Sequence, residues 1–216
     1  MAKRPHRRHA SRRRALRHRR PPLIIGLTGS IAMGKSTAAA VARFLKIPVF
    51  DSDAAVHQLM GPNGAATALI AKKFPKAVGA QGVDRAALGA IVFADKKALR
   101  DLEAIVHPLV RRENERFFRT ARIQRTAVVV HDIPLLFEGN RDRDFDLIVV
   151  VSAPAFLQRQ RALRRPGMTA AKLDAVLASQ TPDHKKRFRA DVAIPSGLGK
   201  RETLRRIQRF LTLAHA

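Results

Sequence analysis

The chain has no cysteine, no tryptophan and no tyrosine. Without Cys, neither a disulfide nor a thiolate metal site can form, which fits a reducing compartment. Aromatic residues are only 5% of the sequence, all of them Phe. A protein that stacks nucleic-acid bases on aromatic platforms has little to build from here. No apolar run approaches the roughly 18–20 residues a membrane span requires, and no secretory apolar core lies near the start. These absences predict a cytoplasmic protein that engages no membrane.

Acid is scarce as well. Seventeen Asp and Glu stand against 42 Lys and Arg, for a formal charge of +25. Ten of the basic residues fall in residues 1–22, MAKRPHRRHASRRRALRHRRPP, which carry no acid. The remainder is still strongly basic, so the surface attracts polyanions, phosphate-rich small substrates among them. Residues 1–22 lack the apolar periodicity of a packed element and are expected to be a disordered basic tail. A solvated tail, non-specific nucleic-acid contact and an upstream start codon all remain open for it.

What is present is a hydrophobic fraction of 46% over 216 residues, enough for an α/β core with insertions. Short continuous apolar runs predict buried strands at Leu23–Thr28, residues 47–50, residues 127–131, Leu147–Ser152 and residues 192–194. Helices are expected at residues 35–45, across most of residues 54–122, at 155–180 with a break at Pro166-Gly167, and at 200–214. In the last, Leu204, Ile207, Leu211 and Leu213 form the inward stripe. Apolar strands spaced by helices indicate a parallel sheet covered on both faces. The expected organisation is a nucleotide-binding core (residues 23–53, 127–154 and 185–216), a helical substrate region (54–126) and a helical lid (155–184).

Gly29-Ser30-Ile31-Ala32-Met33-Gly34-Lys35-Ser36 fits G-x-x-x-x-G-K-[ST] between a strand and a helix. Backbone N–H groups of such a loop wrap a phosphate at a helix N-terminus, where orphan donors and the dipole favour negative charge. Lys35 is the cation for the β- and γ-phosphates, Ser36 the hydroxyl ligand of Mg²⁺ that accompanies ATP, and Thr37 a further phosphate contact. Ala32 requires position 32 to keep a backbone conformation open to a Cβ.

Asp51-Ser52-Asp53 follows the second strand, where residues past a strand's carboxyl end line the ligand crevice. One Asp can accept a proton from an attacking hydroxyl, or hold Mg²⁺ through water, while the other caps the next helix. Asp132 ends the Val-rich strand, a position suited to ordering Mg²⁺. Glu138, six residues on, reads equally as an ordinary surface acid. Arg161 and Arg165 share one helix face. Like charges so placed make most sense near an anion, closing over ATP. His107-Pro108 sits in helical sequence, where Pro108 bends or starts a helix.

Several pieces in order resemble the dephospho-coenzyme A kinase family: LTGSIAMGKST, VFDSDAAVHQL, DRAALGAIVFAD, IVHPLV, DIPLLFE, Gln158-x-x-Arg161-x-x-x-Arg165, and LASQTP followed by ADVAI. They run from about residue 23 to 200. The resemblance implies a three-layer P-loop kinase fold and transfer of the ATP γ-phosphate to the ribose 3′-hydroxyl of dephospho-coenzyme A. It implies that Asp53, Lys35 and Arg161 are catalytic. ATP contacts would come from Gly29, Ala32, Met33, Gly34, Lys35, Ser36, Thr37 and Arg165. The acceptor would meet Asp53, His107, Asp132 and Leu135, and Mg²⁺ would meet Ser36, with Asp51 or Asp132 acting through water. Ser30 and Ala32 stand where many members have Gly, Ala90 where a basic side chain is frequent, and Pro195-Ser196 where the family often has Asp-Asn near adenine. Another small-molecule P-loop kinase, or a nucleic-acid-associated NTPase, is the alternative.

Overall fold

The computed structural model describes residues 21–215. The expectations for residues 1–22, disorder and nucleic-acid contact, lie outside these residues except at Pro21-Pro22.

The chain enters on β1 (Leu23–Thr28) and turns through the phosphate loop into α1 (Lys35–Phe44) and then β2 (Val49–Asp51). Four helices follow, α2 (Ser52–Leu59), α3 (Thr67–Lys73), α4 (Arg85–Ala94) and α5 (Lys96–Ile123), with the two-residue strands β3 (Val78–Gly79) and β4 (Gly82–Val83) between α3 and α4. The core resumes with β5 (Val128–Asp132) and β6 (Leu147–Ser152). Next come α6 (Ala155–Leu163), α7 (Ala170–Ser179), α8 (Asp183–Arg189), β7 (Val192–Pro195) and α9 (Lys200–His215).

Five strands pair in the order β2-β5-β1-β6-β7, all parallel. Their apolar runs are buried on both sides, as a parallel sheet requires. One face packs Ile25, Leu27, Val130, Val149 and Ile194 against Ala38 and Ala42 of α1 and Ile207 and Leu211 of α9. On the other, Ile148 and Val150 meet Ile133, Leu136 and Phe137. There Phe50 also stacks on Phe117 of α5 and edge-on against His131. The helical region has its own core, built from Leu59, Ile70, Phe74, Leu88, Val92 and Val106 among others. Among the described residues no helix is long and apolar enough to cross a membrane.

Four expectations shift. The second strand begins two residues later than expected and includes Asp51. Pro108 does not start a helix but lies inside α5. In α9, Leu213 is 69% exposed, and Thr203 takes a buried place instead. Its hydroxyl can be buried because it donates to the Gly199 carbonyl, four residues back, at 2.8 Å. Finally α8 straddles the expected lid boundary at residues 184 and 185 and lies against β6.

Candidate active site

Parallel strands deliver all their carboxyl ends to one edge. Thr28, Asp51, Asp132, Ser152 and Pro195 therefore meet there, and the register sets Asp51 directly beside Asp132.

The phosphate loop is bent by two glycines that cannot be exchanged. A Cβ on Gly29 would fall 2.6 Å from the Val151 carbonyl oxygen, and Gly34 has φ +97°. Ala32 corrects the sequence-based expectation. Its φ of +60° is left-handed, the region that disfavours a Cβ by about 1–2 kcal/mol. Its methyl is nonetheless buried against Ala162 of α6 and Leu173 of α7, which offsets part of that cost. Lys35 opens α1, and its ammonium reaches Asp132 Oδ1 at 2.5 Å. Burial pushes the Asp132 carboxyl above its usual range, against the pull of Lys35. Ser36 is exposed in the first turn of α1. Met33 is buried, and its carbonyl accepts from Ser196 Oγ at 2.6 Å.

The two aspartates of Asp51-Ser52-Asp53 divide. Asp51 is the helix cap: Oδ1 accepts from the Ala54 N–H at 3.0 Å, and Oδ2 pairs with Arg43 at 3.2 Å. Asp53, in the first turn of α2, is exposed. It lines a cavity of about 1020 Å³ walled also by Ser52, His107, His131, Leu135 and Gln180. His131 Nε2 lies 3.0 Å from Ser52 Oγ. Burial lowers the His131 pKa to about 3, so the ring is neutral at working pH.

Arg161 and Arg165 also divide. Arg161 donates to Ser196 Oγ at 3.0 Å and to the Ser196 carbonyl at 2.8 Å. Ser196, part of the departure noted above, is thus a buried brace between α6 and the phosphate loop. Arg165 is exposed. Part of the basic face is spent internally, since Arg159 pairs with Asp174 of α7 at 2.9 Å.

Sequence reasoning missed two features. Glu138 is not a surface acid. Its Oε1 accepts from the Thr181 N–H at 2.7 Å and lies 2.9 Å from the ammonium of Lys186, which is wholly buried. That ammonium sits off the hydrogen-bond direction, so the contact is an ion pair. Burial alone would raise the Glu138 pKa, but Lys186 and the Thr181 amide together hold it below the usual value. The charge run DHKKRFR gave no hint that one of its lysines is interior. Gln158 and Gln180, which reach the phosphate loop, were visible only as letters of a motif.

Hard oxygen donors near Lys35, the Ser36 hydroxyl and the Asp132 carboxylate, suit a small divalent cation that completes its shell with waters and phosphate oxygens. Among the described residues no three acidic or His side chains converge on one point, so substrate oxygens would have to contribute.

Comparison with known proteins agrees with this geometry. Residues 23–198 match the family model described as CoaE: Dephospho-CoA kinase. A dephospho-CoA kinase of Rhodospirillum rubrum is 53% identical over 90% of this chain and 92% of its own. One from Paramagnetospirillum magneticum is 58% identical over 76% and 77%. The crystal structure of TT1252 from Thermus thermophilus superposes with a TM-score of 0.80 at 33% identity, covering 91% of this chain and all of the other. Dephospho-CoA kinase from Campylobacter jejuni shares the fold, with a TM-score of 0.65 at 22% identity over 91% of this chain and 99% of its own. With a P-loop between the first strand and helix, an acid on the wall of a large adjoining cavity, and these relatives along most of its length, the chain belongs to the dephospho-CoA kinase family, transferases of the kinase type.

Proposed function

We propose that the protein transfers the γ-phosphate of ATP to the ribose 3′-hydroxyl of dephospho-coenzyme A, with Asp53 as the base. The observation that carries this reading is a juxtaposition. The strand tip bearing Asp51-Ser52-Asp53 lies beside the tip bearing Asp132, which is bonded to Lys35, and Asp53 faces a cavity large enough for a long acceptor.

The roles follow from that placement. The backbone of residues 29–37 cradles the triphosphate, with Lys35 on its terminal phosphates and Thr37 beside them. Lys35 must leave Asp132 in part to do so, and the raised affinity of Asp132 for a proton softens the exchange. Ser36, with Asp132 acting through water, would hold Mg²⁺, which neutralises charge on the phosphates. Asp51, committed to its helix and to Arg43, is left out of that set. The acceptor lies along α2 and α5, past His107 and Leu135, with its hydroxyl toward Asp53. Asp53 is exposed and takes the hydroxyl proton as the phosphoryl group moves. Arg161 fixes the lid on Ser196, and Arg165 reaches the phosphates as the lid excludes water.

ADP release, measured with dephospho-coenzyme A against nucleoside monophosphates and simple sugars as acceptors, tests the activity. Preference for another acceptor, or ATPase stimulated by RNA alone, would overturn it. Asp53→Asn should keep ATP affinity and lose turnover by about 10²–10³, the scale of one preorganised group at a reacting centre. Near-normal turnover would remove Asp53 from the mechanism.

A further inference from the structure

The phosphate loop is held from outside at one residue. The Ile31 N–H donates to Gln180 Oε1 at 3.1 Å, and the Ile31 carbonyl accepts from Gln158 Nε2 at 3.0 Å. Both backbone polar groups of a single loop residue are therefore taken by glutamine side chains. The sense of each bond is fixed, because the N–H can only donate and the carbonyl can only accept. Gln158 is buried in α6, where the chain enters the lid, and Gln180 follows α7, where the chain leaves it.

The exit side is itself anchored. The Thr181 N–H, next to Gln180, donates to Glu138, and Glu138 pairs with the buried Lys186. Gln180 also lines the cavity that holds Asp53. One side chain thus touches both the phosphate loop and the wall of the acceptor site.

We propose that Gln158 and Gln180 are positioning residues that set the phosphate loop through Ile31. The loop's N–H groups then point at the triphosphate only when both roots of the lid are seated, and Gln180 carries the state of the acceptor cavity to the loop. This rests on the kinase reading above, but the hydrogen-bond logic makes a demand of its own. At position 180 the contact needs an acceptor, and at position 158 it needs a donor.

The test compares Gln180→Glu, which keeps the acceptor, with Gln180→Lys, which reverses it, and sets Gln158→Glu, which removes the donor, beside both. ATP affinity is read by calorimetry without acceptor, kcat and KM for each substrate by ADP release, and folding by thermal melting. Gln180→Glu, which still accepts from the Ile31 N–H, should weaken ATP binding less than Gln180→Lys does. Gln180→Lys and Gln158→Glu should weaken ATP binding about tenfold, the scale of one hydrogen bond lost, and raise KM for ATP more than KM for dephospho-coenzyme A. Equal behaviour of Gln180→Glu and Gln180→Lys, or unchanged ATP affinity in Gln158→Glu with normal melting, would overturn the proposal. Should Gln158→Glu not fold, the two position-180 variants decide it alone. Failure of the parent protein to use dephospho-coenzyme A would overturn the kinase reading instead, because the ATP titration does not depend on the acceptor.

Discussion

One short segment, DIPLLFE, gives an acid to each of two lysines, and the two regions so formed behave oppositely. Asp132 meets Lys35 at the mouth of the phosphate loop, where the lysine side chain keeps 17% of its surface open and the carboxylate 4%. Glu138 meets Lys186 of α8, where the openness is reversed: the lysine is at 0% and the acid at 17%. A pair whose cation is open can exchange its carboxylate for a phosphate. A pair whose cation is sealed cannot, and its energy goes into holding segments together. The same chemical couple is free to take a ligand in one place and is a rivet in the other, and access to the cation decides which.

The largest expected effect separates the two. Lys35→Met should lower turnover by about 10²–10³ while costing less stability than Lys186→Met, because water reaches the Lys35 side chain and screens the pair. Lys186→Met should do the reverse. It leaves a partly buried carboxylate unpaired, a loss of about 3–5 kcal/mol, or roughly 6–20 °C in Tm for a chain of this size. Turnover of the protein that remains folded should stay within severalfold of the parent. Equal Tm losses in the two variants, measured side by side, would erase the distinction.

The rivet also has a pH signature. Glu138 has a folded pKa below the usual glutamate value of 4.5. Its contribution is therefore fully present above that value and is lost as pH falls through the lower, folded one. Glu138→Gln should cost about 3–5 kcal/mol at neutral pH, because it leaves the wholly buried Lys186 ammonium unpaired. The curves of parent and variant should converge as pH drops below 4.5. Denaturant melts at several pH values check this, and a gap that widened in acid would assign the stabilisation to another group.

Legibility in the sequence follows the same divide. The open region was readable because its chemistry is local. A strand, a Gly-rich loop and a helix in consecutive residues state the phosphate site, and the five short apolar strands spaced by helices state the parallel core. The sealed region depends on contacts 43 to 149 residues apart, such as Thr181 to Glu138 and Gln180 to Ile31, which no local pattern encodes. The roles of Asp51 and Asp53 were ambiguous for a related reason. Both types cap helices, and only the start of α2 at Ser52 decides that Asp51 is the cap. The β3–β4 hairpin escaped because two-residue strands have no periodicity to read, and its turn ends on Gly82 at φ +91°.

The smallest effect lies where the regions touch. Ala32 is strained in the left-handed region, yet its methyl packs on lid residues Ala162 and Leu173. In Ala32→Gly, relief of the backbone gains about 1–2 kcal/mol. Loss of a buried methyl costs about 0.8 kcal/mol, and the freer unfolded chain a further 0.4–1 kcal/mol. The terms nearly cancel, so Tm should move by no more than about 2–4 °C. A gain well beyond that would mean the lid contact contributes nothing and the open region carries its strain uncompensated. A comparable loss would mean that the methyl is as much a fastening as Lys186, and that the phosphate loop is held from the lid side more than by its own turn.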